Sequence, residues 1–181
     1  DAVVKSDGSI WFTDPAYGID TDYEGDRAEN EIGRCNVYRI DPANGRIDAV
    51  ITDMERPNGI AFSLDETKLY VGDTGRTHGP DNPAHIRVFD VGEGGRLTGG
   101  KVFADCTAGL FDGFRLDDEG RIWSSAADGI HCYDPDGTLI GKVKVPEVTA
   151  NCVFGGAKRN VLYICGTTSL YAVRLMVNGA R

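Results

Sequence analysis

Two oxygen-bearing side chains, Asn58 and Asp112, stand at the heads of two similar apolar stretches, Pro57-Asn58-Gly59-Ile60-Ala61-Phe62 and Asp112-Gly113-Phe114-Arg115-Leu116. An amide oxygen and a carboxylate are hard donors of the kind Ca2+ or Mg2+ prefers, with water filling the remaining places. A cation held between them would keep Asp112 ionised and polarise a bound water or an ester carbonyl, which is the chemistry of hydrolysis by an activated water. Asx residues also cap strand ends by bonding to nearby backbone, so residue type alone leaves both roles open. Asn151 heads a further such stretch, Asn151-Cys152-Val153-Phe154, and is expected to contact substrate. Tyr17-Gly18, with the polar loop through Asn30 and Gly33, is expected to form a lid, with Tyr17 as a second substrate contact.

Other chemistries find less support. No Ser lies in a Gly-x-Ser-x-Gly elbow and no Gly-rich segment opens a helix as a phosphate loop. His78 and His85 flank the turn-rich run 79–83 and are expected to be solvated, while His131 alternates with apolar neighbours and reads as structural. Asp14, Asp73 and Asp128 end strands, where aspartates bond turns. Trp11 and Trp123 fall at equivalent places in two units, which packing explains.

The elements that would position these residues are β-hairpins in a repeat. Asp7-Gly8, Asn44-Gly45, Glu119-Gly120 and Asp136-Gly137 punctuate short apolar alternations, and no stretch combines a 3.6-residue period with helix caps. Four units recur: 1–14, 57–74, 112–125 and 151–165. After each of the first three comes a further strand pair. Four strands per unit is the blade of a β-propeller, and four units across 181 residues give roughly 45 each, close to a blade period of about 40–50. The reading is therefore all-β, one propeller domain over 1–181. In register, Asp1 matches Gly59 and Gly113, so the first unit's head residue would precede Asp1.

Lys5-Ser6-Asp7-Gly8-Ser9-Ile10-Trp11-Phe12-Thr13-Asp14-Pro15, then Tyr17-Gly18, Arg56-Pro57-Asn58-Gly59-Ile60-Ala61-Phe62-Ser63 and Asp112-Gly113-Phe114-Arg115-Leu116-Asp117 resemble the gluconolactonase/regucalcin (senescence marker protein) family over its C-terminal two-thirds. That resemblance implies a six-bladed propeller of which about four blades are present, and a metal-dependent hydrolase that opens sugar lactones and related cyclic esters. It implies that Asn58 and Asp112 are metal ligands, with Asp112 also the catalytic base, and that the metal is Ca2+ first, with Zn2+, Mn2+ or Mg2+ as alternatives. The family's ligating Glu and a pocket Asn would lie in about 100 further N-terminal residues, two blades at the repeat period. With part of that site outside the chain, a non-catalytic binding module or an inactive fragment remains an open alternative to a lactonase.

Composition bounds the partners. A net charge of -9 repels nucleic acid and anionic membrane surfaces, and no apolar run reaches the roughly 20 residues of a spanning helix. Five cysteines without a Cys-x-x-Cys pair favour reduced, buried thiols in a cytoplasmic protein. The expected partner is a small lactone, and free blade edges allow a homo-oligomer.

Overall fold

The strands form where the hairpin turns dictate. In the first unit Ser9 N–H donates to Asp7 Oδ1 at 2.8 Å and Gly8 takes the left-handed φ of +85° that lets the chain reverse without a Cβ clash. The third unit repeats the device with Asp117, whose Oδ1 accepts from Glu119 and Arg121 N–H at 3.0 Å each.

The computed structural model describes residues 1–180. Its strands are β1 (Ala2–Val4), β2 (Ile10–Asp14), β3 (Asn36–Ile40), β4 (Ile47–Ile51), β5 (Pro57–Phe62), β6 (Lys68–Asp73), β7 (His85–Val91) and β8 (Leu97–Asp105). There follow β9 (Phe114–Leu116), β10 (Ile122–Ala126), β11 (Gly129–Tyr133), β12 (Leu139–Lys144), β13 (Thr149–Gly155), β14 (Val161–Gly166) and β15 (Leu170–Arg174). They make four antiparallel meanders, β1-β2-β3-β4, β5-β6-β7-β8, β9-β10-β11-β12 and β13-β14-β15. The first three are complete four-stranded blades, and the fourth has three strands among the described residues.

Innermost strands pack in chain order, β1 on β5, β5 on β9 and β9 on β13, so the four sheets are blades of a β-propeller arrangement. Among the described residues helix is confined to one turn, α1 (Tyr17–Asp20), and two 3-10 turns, Gly75–His78 and Glu93–Gly95. The polar segment at Tyr17 thus starts as a helical turn, although it is too short to carry a helical period.

The seams between blades hold the core. Trp11 of β2 is fully buried and meets Phe62 of β5 edge-to-face, with ring centroids 5.5 Å apart. Trp123 of β10 meets Phe154 of β13 in the same way at 6.0 Å. Such pairs add about 0.5–1.5 kcal/mol beyond the area they bury. The five cysteines are all unpaired. Four are buried, but Cys165 is exposed, because it alternates outward on β14 of the three-stranded blade.

Candidate active site

Each blade head is fixed by the neighbouring blade as well as its own. The Thr13 hydroxyl on β2 donates to the Asn58 carbonyl at 2.7 Å, and at the equivalent place on β10 the Ser125 hydroxyl donates to the Ala150 carbonyl at 3.1 Å. Gly113 N–H also donates to Ala150 O at 2.9 Å, while Gly113 O accepts from Ser125 N–H at 3.0 Å. Close approach, not turn geometry, requires glycine at these heads. A Cβ on Gly59 would stand 2.2 Å from the Asp112 carbonyl oxygen and 2.8 Å from the Phe114 ring, and one on Gly113 would stand 2.3 Å from the Asn151 amide.

Asn58 is held from behind by Asp73. This buried carboxylate accepts from the backbone N–H groups of Glu55, Arg56 and Gly75, each at 3.0 Å. The segment entering β5 is thereby pinned. Asp112 is held by Phe111, a fully buried ring set edge-on against Tyr133 at 5.5 Å, and by Asp112 N–H donating to Ser125 Oγ at 3.3 Å.

These two heads open on one cavity of about 430 Å³, within the range of about 300–1,000 Å³ typical of small-molecule sites. Asn58 and Asp112 line it together with Tyr17, Glu24, Thr74, Thr77 and an apolar wall that includes Leu110 and Val148. Tyr17 reaches the rim because its hydroxyl bonds with the hydroxyls of Thr74 at 2.7 Å and Thr77 at 3.0 Å.

Asn151 is not among the lining residues. Strand register explains this. Cys152 pairs with Ile164 and Asn151 with Cys165, as Phe114 pairs with Ser124 and Ile60 with Val71, so Asn151 is level with Gly59 and Gly113, and Ala150 takes the place of Asn58 and Asp112. The matching Thr13 and Ser125 hydrogen bonds give the same register. The Asn151 side chain therefore lies against Gly113 and accepts from Cys152 N–H at 2.8 Å.

Burial raises the Asp112 pKa above the ordinary carboxylate range, and the Glu24 carboxylate adds to that push; the Asn58 side chain opposes it without cancelling it. No lysine or arginine side chain is among the groups acting on Asp112. An amide oxygen and a partly desolvated carboxylate set side by side are a donor pair suited to a hard divalent cation completed by water. Among the described residues no three His, Cys, Asp or Glu side chains converge to hold a metal by themselves.

The family described as SMP-30/Gluconolactonase/LRE-like region matches residues 1–168. The chain belongs to this family. Its relatives within the family include the gluconolactonase of Zymomonas mobilis, 32% identical over 99% of this chain and 51% of that protein, and the pentonolactonase XacC of Haloferax volcanii, 32% identical over 72% of this chain and 47% of that protein. A gluconolactonase structure from Xanthomonas campestris superposes with a TM-score of 0.88 at 36% identity, covering 97% of this chain and 56% of the other. The calcium-binding protein regucalcin of Agrobacterium tumefaciens shares the fold, with a TM-score of 0.70 at 21% identity over 99% of this chain and 61% of that one. The chain thus spans about half the length of the curated relatives it matches.

The remaining candidates have scaffold surroundings. His78 bonds Asp20 at 2.9 Å and the Thr77 hydroxyl at 2.7 Å. His85 is partly buried with Asp105 3.9 Å away. His131 is buried against Asp128 at 2.6 Å. The reading from sequence passed over Glu24, Thr74 and Thr77. Glu24 had one local signal, the glycine that follows it in an otherwise charged loop.

Proposed function

We propose that this chain carries the reacting end of a metal-dependent sugar lactonase of the gluconolactonase type. The observation that carries the reading is the meeting of Asn58 and Asp112, from two successive blades, on one small-molecule-sized cavity in a member of this family. Asn58 and Asp112 would hold the cation, with Ca2+ the first choice for an all-oxygen donor pair and Zn2+, Mn2+ or Mg2+ as alternatives. When bound, a cation of this kind lowers the pKa of water and polarises a carbonyl oxygen.

The chain's own residues do the rest. Asp112, raised by burial, is suited to take the proton from a water aimed at the ester carbon, because a base works best with a pKa near the working pH. Tyr17 at the rim and the wall of Leu110 and Val148 orient the ring and restrict bulk water. The five unpaired cysteines favour the cytoplasm as the place of action.

Initial rates of D-glucono-1,5-lactone opening, followed by acid release, test the reading. Turnover should vanish with a chelator, return with Ca2+, and be lost in Asp112→Asn. Turnover that ignores both the chelator and the substitution, or no turnover with any of the four metals, would sink it and leave a non-catalytic binding propeller.

A further inference from the structure

Glu24 is the one carboxylate at the cavity that the proposed chemistry does not use. It reaches the rim because residues 21–28 fold back onto α1. Ala28 N–H donates to Ile19 O at 3.0 Å, Arg27 N–H donates to Asp22 Oδ1 at 2.9 Å, and Tyr23 N–H donates to Thr21 Oγ1 at 3.3 Å. Gly25 sits so close over α1 that a Cβ there would stand 2.1 Å from the Gly18 carbonyl oxygen, so a side chain at 25 would lift the turn. The helical turn beneath is tied down in its own right. Asp20 pairs with His78 at 2.9 Å and with Arg56 at 3.5 Å, and these belong to the two segments that flank Asn58 and Thr77.

None of the bonds that close this turn uses the Glu24 side chain. Its neighbours on the rim are already engaged, since Tyr17 is bonded to Thr74 and Thr77. A rim carboxylate that is exposed and has its oxygens uncommitted can accept several O–H donors at once, and charge-assisted bonds of this kind are stronger than neutral ones.

We propose that Glu24 is the specificity-determining residue of this cavity, accepting hydrogen bonds from the ring hydroxyls of a neutral polyhydroxylated lactone and so favouring it over a lactone with a bare carbon ring. The inference rests on the lactonase reading and concerns selectivity within it. Asp112 acts at the ester carbon; Glu24 holds the far side of the ring. Losing such acceptors removes charge-assisted bonds from the ring hydroxyls, a loss a bare ring does not feel.

The test compares D-glucono-1,5-lactone with δ-valerolactone on wild type, Glu24→Ala and Glu24→Gln. The ratio of the two kcat/KM values should fall roughly ten- to a hundredfold in Glu24→Ala and recover in part in Glu24→Gln, which keeps one acceptor oxygen. An equal loss on both lactones would overturn the inference and mark Glu24 as part of the hydrolytic machinery, and so would an unchanged ratio. Calorimetric binding of the unreactive gluconolactam against δ-valerolactam gives a readout independent of turnover. If wild type opens neither lactone, the lactonase reading fails. The Glu24 inference then stands on a wild-type preference for gluconolactam that Glu24→Ala abolishes, and falls if that preference is absent or survives the substitution.

Discussion

The heads of the second and third blades differ from the head of the fourth by one place in register, and that place decides which side chain faces the cavity. Asn58-Gly59 and Asp112-Gly113 put the oxygen donor on the cavity and the glycine against the next blade. Ala150-Asn151 reverses the order. A methyl group takes the donor's place and the amide is used in packing against Gly113. The polar side chains at this end of the fourth blade are engaged within the scaffold. The Thr149 hydroxyl lies 2.9 and 2.8 Å from the Ala126 and Gly129 carbonyls, and Glu147 accepts from Thr168 N–H at 2.7 Å, Ser169 Oγ at 2.9 Å and Tyr171 Oη at 2.7 Å. Two strands with similar sequences therefore present different residues because the turn from Phe154 to Leu162 is one residue longer than the turn from Phe62 to Leu69.

The largest break between the two kinds of head should come at the donors. Asp112→Asn is expected to lower kcat/KM for lactone opening by about 10²–10⁴, the usual worth of a positioned base, and Asn151→Ala by at least tenfold less. Initial rates on both variants decide it; equal losses would return Asn151 to the substrate.

Next come the glycines, where stability is the readout. Gly59→Ala drives a methyl into a backbone carbonyl and should cost about 1–3 kcal/mol, a fall in Tm of several degrees by calorimetry. Gly113→Ala meets a side chain instead, so Asn151→Ala should restore part of its loss, with a coupling of about 0.5–3 kcal/mol in a double-mutant cycle. Additive losses would show that the Asn151 contact is not what forbids a methyl at 113.

The smallest effect belongs to Glu147. Backbone and hydroxyl donors led by Thr168 lower its pKa from 4.5 to about 2. Its contribution to folding is therefore present above about pH 4.5 and is lost as pH falls through about 2. Glu147→Gln should flatten that part of the acid denaturation profile and leave the neutral region nearly level. An unchanged acid limb would exclude the clamp as a source of stability.

Much of this was legible in the sequence because hairpin physics is local. Asp7-Gly8 and Asp117 to Gly120 mark turns by their chemistry, and the spacing from turn to strand placed Asp1, Gly59 and Gly113 in one register, which the pairing of Ala2 with Phe12 and Phe114 with Ser124 bears out. The equivalence of Trp11 and Trp123 as seam residues was readable for the same reason. Asn151 was placed one residue too early because the turn from Phe154 to Leu162 holds one residue more than the turn from Phe62 to Leu69, without disturbing the apolar alternation on either side. Glu24 could not be read at all from periodicity. Its position depends on a contact between Gly25 and Gly18, and nothing local encodes which backbone a glycine will lie against.

The two edge-to-face seams make this protein its own optical instrument. The chain has two tryptophans, one in the seam between the first and second blades and one in that between the third and fourth. Trp11 is sealed from water and Trp123 is partly open to it, so their emission should differ in colour. Replacing either by phenylalanine would leave a single reporter, and unfolding followed by fluorescence would show whether the two seams part together or in turn.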